Sequence, residues 1–349
     1  MEILQPGLGP IGSSSYLPAD PAAVLWGRLP CAADTAVLTV DSGTTVTIDT
    51  VSHEGILEDQ GRDPRAFFGA FGATDFLDDA VALAASDRSR GDGGPHVVTG
   101  PIHVRGARRG DLLKFTVVQT LPRVPYGIIS NRHGRGALPQ EYPVAGDVVS
   151  VFAAVDGDYG TMPRVHGGEH SVRFPLAPFL GIMGVAVAGD VRPHSVPPGP
   201  HGGNIDINLL TVGSALYLPV QVDGALAYVG DPHFAQGDGE VALTALEASL
   251  RATIRFDVIA HEEAVAAFGE LVGPLAETSE FLVPTGMDAD LDTAVQNCVR
   301  AAIALLQARY AMDPKHAYAY LSAATDFNIS QVVDLVKGVH ARVRKADFS

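Results

Sequence analysis

The chain has 349 residues and sets 24 Lys and Arg against 40 Asp and Glu, a net charge of −16. That charge repels phosphate backbones and anionic lipid, so nucleic acid and membrane surfaces are excluded as partners. The length holds roughly two domains at about 150 residues each. With 46% hydrophobic and 18% charged residues beside 38 Gly and 24 Pro, the composition describes a folded, turn-rich protein and not a disordered one.

No run is long and apolar enough to span a bilayer; the most apolar window, Leu176 to Ala188, is short and broken by Pro178, Gly181 and Gly184. The first residues lack a basic stretch followed by an apolar one, so a soluble, cytoplasmic protein is expected. Cys31 and Cys298 have no Cys-x-x-Cys spacing and read as small buried hydrophobes.

From residue 34 to about 120 the pattern is one of short strands. Ala36 to Val40 and Thr44 to Thr50 flank the turn Asp41-Ser42-Gly43, and Pro101 to Val104 and Leu112 to Gln119 flank Arg108-Arg109-Gly110-Asp111. Both units read as hairpins. Residues 122–175 are rich in Gly, Pro and His and are expected to be irregular, with strands near Asp147 to Ala154 and Ser171 to Phe174. Strand-length apolar runs resume at Gly181 to Ala188, Ser214 to Val222, Ala225 to Val229, Glu240 to Leu246 and Thr253 to Ile259.

Beyond residue 285 the spacing turns helical. Leu291, Val295, Cys298, Ala302 and Leu305 line one face, Asp313-Pro314 is a helix start, and Ser330 is a possible cap for a short helix ending at Gly338. The expected fold is therefore mainly β, in sandwich or barrel-like blocks, with a C-terminal α/β portion. Its expected parts are a β-rich N-terminal domain with an irregular loop region (1–175), a second β-rich block (176–285) and a C-terminal helical portion (286–349).

Chemistry concentrates in two segments, Pro198-Gly199-Pro200-His201-Gly202-Gly203-Asn204-Ile205-Asp206 and Gly230-Asp231-Pro232-His233-Phe234-Ala235-Gln236-Gly237-Asp238-Gly239-Glu240. Each combines imidazole, amide and carboxylate groups with glycines that let a small ligand approach the main chain. Such groups serve as metal ligands or general bases; Asx-turns between strands are the plainer alternative. A third candidate is Ser52-His53-Glu54-Gly55, just after a strand, where His53 with Glu54, Glu58 or Asp59 can bind a cation. There is no Gly-x-Ser-x-Gly elbow, His-Glu-x-x-His helix, Walker loop or dinucleotide fingerprint.

At these two segments, and at Gly213 to Val220, Thr99 to Val104, Pro175 to Gly181 and Ile329 to Asp334, the sequence resembles the acetamidase/formamidase family. The resemblance implies a hydrolase of short linear amides that releases ammonia and a carboxylate, on a β-rich fold with frequent homo-oligomerisation. The loop Ser52-His53-Glu54 and the longer stretch before Gln60 depart from the family pattern, and residues 122–170 look particular to a subfamily.

Amide hydrolysis needs a nucleophile, an oxyanion site and a proton for the departing amine. In the scheme this implies, a metal- or carboxylate-activated water attacks. His201, Asp206, His233 and Asp238 are the candidate ligands of a divalent ion, zinc or calcium. Glu240 is the candidate general base, with Asn204 and His53 also catalytic candidates, and Gly202, Gly203 and Gln236 candidates for substrate binding. A covalent Cys or Ser amidase and a non-catalytic small-ligand binder are the alternatives. Gly-rich turns around the site and the lack of a clear basic cluster predict a small neutral amide substrate, and Asp238 and Glu240 are expected on one face of a strand opening at Glu240.

Overall fold

The computed structural model describes residues 3–144 and 146–348. Two large sheets carry the fold. In one, nine strands run in the order Ser15–Leu17, Thr44–Asp49, Leu250–Ile259, Leu112–Pro122, Ala215–Pro219, Leu275–Glu277, Phe281–Asp288, Lys337–Arg344, Asp326–Gln331. In the other, Ala227–Ala235 lies between Leu246–Glu247 and Phe179–Gly184 and also pairs with Val97–Arg105, which in turn holds Val24–Trp26 and Leu38–Asp41. The mainly β fold with a C-terminal α/β portion is as expected. The nine-stranded sheet takes strands from each of 1–175, 176–285 and 286–349, so the boundaries at 175 and 285 fall within one shared sheet.

Alternation along single strands separates the core into layers. Leu216 and Leu218 join the large apolar cluster that includes Ile48, Phe115 and Phe256 of the same sheet and Ile102, Met183 and Val229 of the other. Ala215 and Tyr217 point the opposite way, into a second cluster with Phe268, Leu305, Leu306 and Leu321 of the helices. A strand apolar on both faces is what a sheet buried on both sides requires.

Two expected hairpins do not form. Leu38–Asp41 pairs in parallel with Val97–Arg105, whereas Thr44–Asp49 pairs with Ser15–Leu17 and Leu250–Ile259 in the other sheet. Likewise, Val97–Arg105 and Leu112–Pro122 belong to different sheets. The tight turns at Asp41 to Gly43 and Arg108 to Asp111 are corners where the chain changes sheet. In the middle segment, Tyr126–Arg132 and Tyr159–Pro163 join Val148–Asp156 and Ser171–Pro175 in an antiparallel meander, more regular than expected.

The helix Leu291–Tyr310 starts at Asp290, whose side chain accepts from the N–H of Thr293 at 2.8 Å. Pro314–Ala324 starts at Asp313, which accepts from Lys315 at 2.9 Å, as expected. The third helix does not exist. Ser330 lies in the strand Asp326–Gln331 and pairs through Oγ with Nδ1 of His340 at 2.8 Å, while Gly338 lies in Lys337–Arg344. The alternation of Val339, Ala341 and Val343, all buried, is the strand signal that a capping Ser and a terminal Gly obscured. No helix among the described residues is long and apolar enough to cross a membrane.

Candidate active site

Ala227–Ala235 places Asp231 and His233 two residues apart on one face, with Asp231 in a left-handed conformation at φ 49°. On one side Glu247 is the cross-strand partner of His233. On the other, Gly181 lies opposite, and a Cβ there would come within 2.4 Å of Asp206 Oδ1, 2.7 Å of His233 Cε1 and 2.8 Å of Asp231 Oδ2. The floor of the site therefore depends on a missing side chain. His53 and Glu54 follow the strand Thr44–Asp49, and His96 immediately precedes Val97–Arg105.

His233 Nε2 lies 3.0 Å from Glu247 Oε1 and 3.1 Å from Asp231 Oδ2, and its Nδ1 is 3.9 Å from Asp206 Oδ1. His53 Nδ1 is 3.5 Å from Asp231 Oδ1, and His96 Nε2 is 3.8 Å from Asp231 Oδ2. Ser195 Oγ sits 3.0 Å from Nδ1 of His96 and fixes that ring. Three overlapping groups have ligand atoms within 4.8 Å of one another: His53, His96 and Asp231; Asp231, His233 and Glu247; and Asp206, His233 and Glu240.

Many of these atoms are buried without a hydrogen bond, among them His53 Nδ1, both ring nitrogens of His233, Asp231 Oδ1, Glu247 Oε2 and both oxygens of Asp206. Leaving such atoms unpaired costs free energy. A set of imidazoles and carboxylates in this condition fits a divalent cation.

Carboxylates and imidazoles set one another's charge in the site. Burial opposes a charge on His53, but Asp231, Glu54 and Glu247 outweigh it and hold its pKa at about 10. Burial likewise opposes a charge on His233, and Glu247 with Asp231 raises its pKa well above the ordinary value. His96 is pushed down to about 4 by burial, with His53 and His233 adding to the effect. Burial, together with mutual repulsion, lifts Asp206, Glu240 and Asp334 well above the usual carboxylate range, Asp206 acting chiefly through Asp334, Glu240 through Asp206 and Asp334 through Glu240. Carboxylates crowded this way need a proton or a cation among them.

His53, Asp206, His233 and Glu240 are thus gathered as the sequence suggested, and Asn204 lines the adjoining cavity. Glu240 does not open a strand: it sits in a turn at φ 46°, its N–H bonded to the carbonyl of Gly237 at 3.2 Å. Asp238 is exposed, accepts from Asn208 at 3.0 Å and from Asn328 at 2.7 Å, and belongs to none of the three groups. The strand between Glu240 and Leu246 and the shared face of Asp238 and Glu240 are therefore corrected, because the chain turns at Gly239 (φ 99°).

His201 is buried beside Gly199 and Gly203 and lies in none of the groups; burial alone lowers its pKa to about 4. Gly202 and Gly203 both take positive φ, 80° and 78°, and a Cβ on Gly202 would reach within 2.3 Å of the Met183 carbonyl oxygen. Gln236 supports the site from behind, donating to the Asp206 carbonyl at 2.9 Å and the Ser330 carbonyl at 3.2 Å. His96, Glu247, Asp334 and Arg132 were not singled out by spacing.

The cluster opens into a cavity of about 710 Å³ lined also by Leu57, Val196 and Leu243. This is more than the few heavy atoms expected from the Gly-rich turns, and Arg90, Arg132 and Arg135 stand around it together with Asp59 and Asp92.

In fold, the chain is similar to solved acetamidases. It superposes on the acetamidase of Bacillus halodurans with a TM-score of 0.73 at 25% identity, covering 95% of this chain and 98% of that one. The acetamidase of Yersinia enterocolitica gives 0.75 at 25% identity, covering 97% and 94%. In sequence, residues 186–343 match the model of the Acetamidase/Formamidase family. The chain is 31% identical over 199 residues to the acetamidase of Mycolicibacterium smegmatis (42% of this chain, 49% of that protein) and 30% over 193 residues to the formamidase of Methylophilus methylotrophus (42% and 47%). It thus spans about half the length of the curated relatives it matches. The resemblance found in the motifs is the resemblance these comparisons find.

Proposed function

We propose that this chain hydrolyses the amide bond of small linear carboxamides, with water as nucleophile, to a carboxylate and ammonia. The observation that carries the reading is the buried set of unpartnered imidazole and carboxylate atoms at the base of an open cavity, on an acetamidase-type fold. His53, His96, Asp231, His233 and Glu247 would hold a divalent cation, and the share of imidazole favours zinc over calcium. Such an ion supplies Lewis acidity toward a carbonyl oxygen or water.

The chain's own residues supply the rest. Glu240, which lines the cavity, is the group assigned to take a proton from water and pass it to the departing amine. Asn204 faces the cavity with an unpartnered side-chain oxygen, and its amide is the group offered to the substrate. Glu54 lies 3.3 Å from Nε2 of His53, on the ring's other side from Asp231, and Arg132 anchors Glu54 at 2.5 Å. The proposed enzyme is a cytoplasmic homo-oligomer without nucleic-acid or membrane partners.

A covalent serine enzyme has one geometric argument, Ser195 beside His96. Ser195 is, however, fully buried and absent from the cavity lining. The test is ammonia release from formamide, acetamide and propionamide by the purified chain. Release with stoichiometric carboxylate supports the reading; amide binding without release would make the protein a binder.

A further inference from the structure

In a chain of net charge −16, the cavity lining holds three arginines, and Arg90 is paired with Glu58 while Arg135 has no ion-pair partner among the described residues. The turn Arg132 to Arg135 brings two arginines to one rim: the N–H of Arg135 donates to the Arg132 carbonyl at 3.1 Å, with His133 at φ 54° and Gly134 at φ 61°. Arg132 is buried and bonds Glu54 through Nη2, but its Nε and Nη1 have no hydrogen-bond partner; the nearest carboxylate to Nη1 is Asp59 at 3.7 Å. Arg135 is exposed and forms no ion pair among the described residues.

The carboxylates at the rim are already engaged. Asp59 lies 3.0 Å from Nε2 of His133, Asp92 is 2.5 Å from Arg28, and Glu58 is 2.8 Å from Arg90. Burial lowers the pKa of His194, and the nearby Arg28, Arg135 and Arg90 lower it further against Asp92. A buried guanidinium with two idle donors is costly unless an acceptor completes it.

We infer that the amide accepted here carries a carboxylate at the far end of its acyl chain, held by Arg132 and Arg135 while the amide group lies over the His and carboxylate cluster. The inference rests on the amidase reading and names its substrate class. The cavity volume leaves room for the intervening chain, and Leu57, Val196 and Leu243 offer it an apolar wall. Hydrolysis then converts an ω-carboxy amide and water to a dicarboxylate and ammonium; the C–N bond breaks, a C–O bond forms, and both water protons leave with the nitrogen. Paired arginine donors suit a carboxylate's two oxygens.

The experiment compares kcat/KM for succinamate with that for butyramide, a neutral amide of similar length, in the intact wild-type protein and in Arg135→Gln, with succinate affinity measured on both by calorimetry. Succinamate should be preferred by about tenfold or more, as expected for a charged hydrogen-bonding partner, and the preference should shrink in Arg135→Gln and at high salt. Succinate should bind wild type and bind Arg135→Gln more weakly. Equal or better turnover of butyramide by wild type would overturn the inference and leave the amidase reading standing. Arg135-dependent succinate binding without cleavage of any amide would overturn the amidase reading and, with it, the assignment of a substrate, leaving an anion pocket.

Discussion

Oδ2 of Asp231 lies 3.1 Å from Nε2 of His233, and the opposite oxygen of the same carboxylate lies 3.5 Å from Nδ1 of His53. Asp231 therefore joins the two imidazoles, and its left-handed backbone is what turns it toward both. Asp231→Asn keeps the size of the side chain and removes the charge. We expect bound divalent cation, measured by elemental analysis, to fall to a minor fraction of wild type and amide turnover to fall by about 10²-fold or more. Unchanged cation content would remove Asp231 from the ligand set.

Asp238 and Glu240 separate by burial, and a pair of variants tests the separation. Glu240→Gln should lower kcat by about 10²- to 10⁴-fold with cation content retained. Asp238→Asn should leave both near wild type, since this carboxylate meets only Asn208 and Asn328 at the surface. The reverse ranking would restore Asp238 as the functional carboxylate.

Gly286 packs the strand Phe281–Asp288 against the helix Leu291–Tyr310 so closely that a Cβ would lie 2.1 Å from the Cys298 nitrogen and 2.3 Å from the Ala294 carbonyl oxygen. Backbone cannot yield as a side-chain tip can. Gly286→Ala should cost about 3 kcal/mol or more in chemical denaturation, whereas Gly237→Ala, with open space around it, should be close to neutral.

Glu277 accepts from Lys345 Nζ and from the Tyr217 hydroxyl, each at 2.5 Å. Burial opposes its charge, but Lys345 and Tyr217 prevail and hold its pKa below the ordinary 4.5. A depressed carboxylate stabilises the fold above its unfolded value, and this stabilisation is lost as pH falls through the folded one. The site is partly solvated, so the expected effect of Glu277→Gln is about 1 kcal/mol or less at pH 7. The Tm difference from wild type should close below pH 4.5; a difference that grows on acidification would reverse the sign assigned here.

Much of the fold was legible because alternation and helical spacing report burial locally: the strands around Thr44, Leu112 and Thr253 and the helices capped by Asp290 and Asp313 follow from it. Which strand lies beside which is a long-range property, and there the corner turns at Asp41 and Arg108 imitate hairpins. The site divided along the same line. His53, Asp206, His233 and Glu240 sit in Gly-rich segments whose chemistry is visible, while Glu247 and His96 reach the cluster only through pairing with Ala227–Ala235. A signal for Glu247 did exist, since a lone carboxylate in the apolar run Ala245-Leu246-Glu247-Ala248 is a charge committed to the interior.

The most direct measurement of the central claim follows ammonia release from amides by wild-type protein before and after removal of bound cations by a chelator, with elemental analysis and Tm recorded on the same samples. The account predicts a stoichiometric divalent cation, loss of turnover and a lower Tm on its removal, and recovery of both on adding zinc. Full amide hydrolysis by cation-free protein would contradict it.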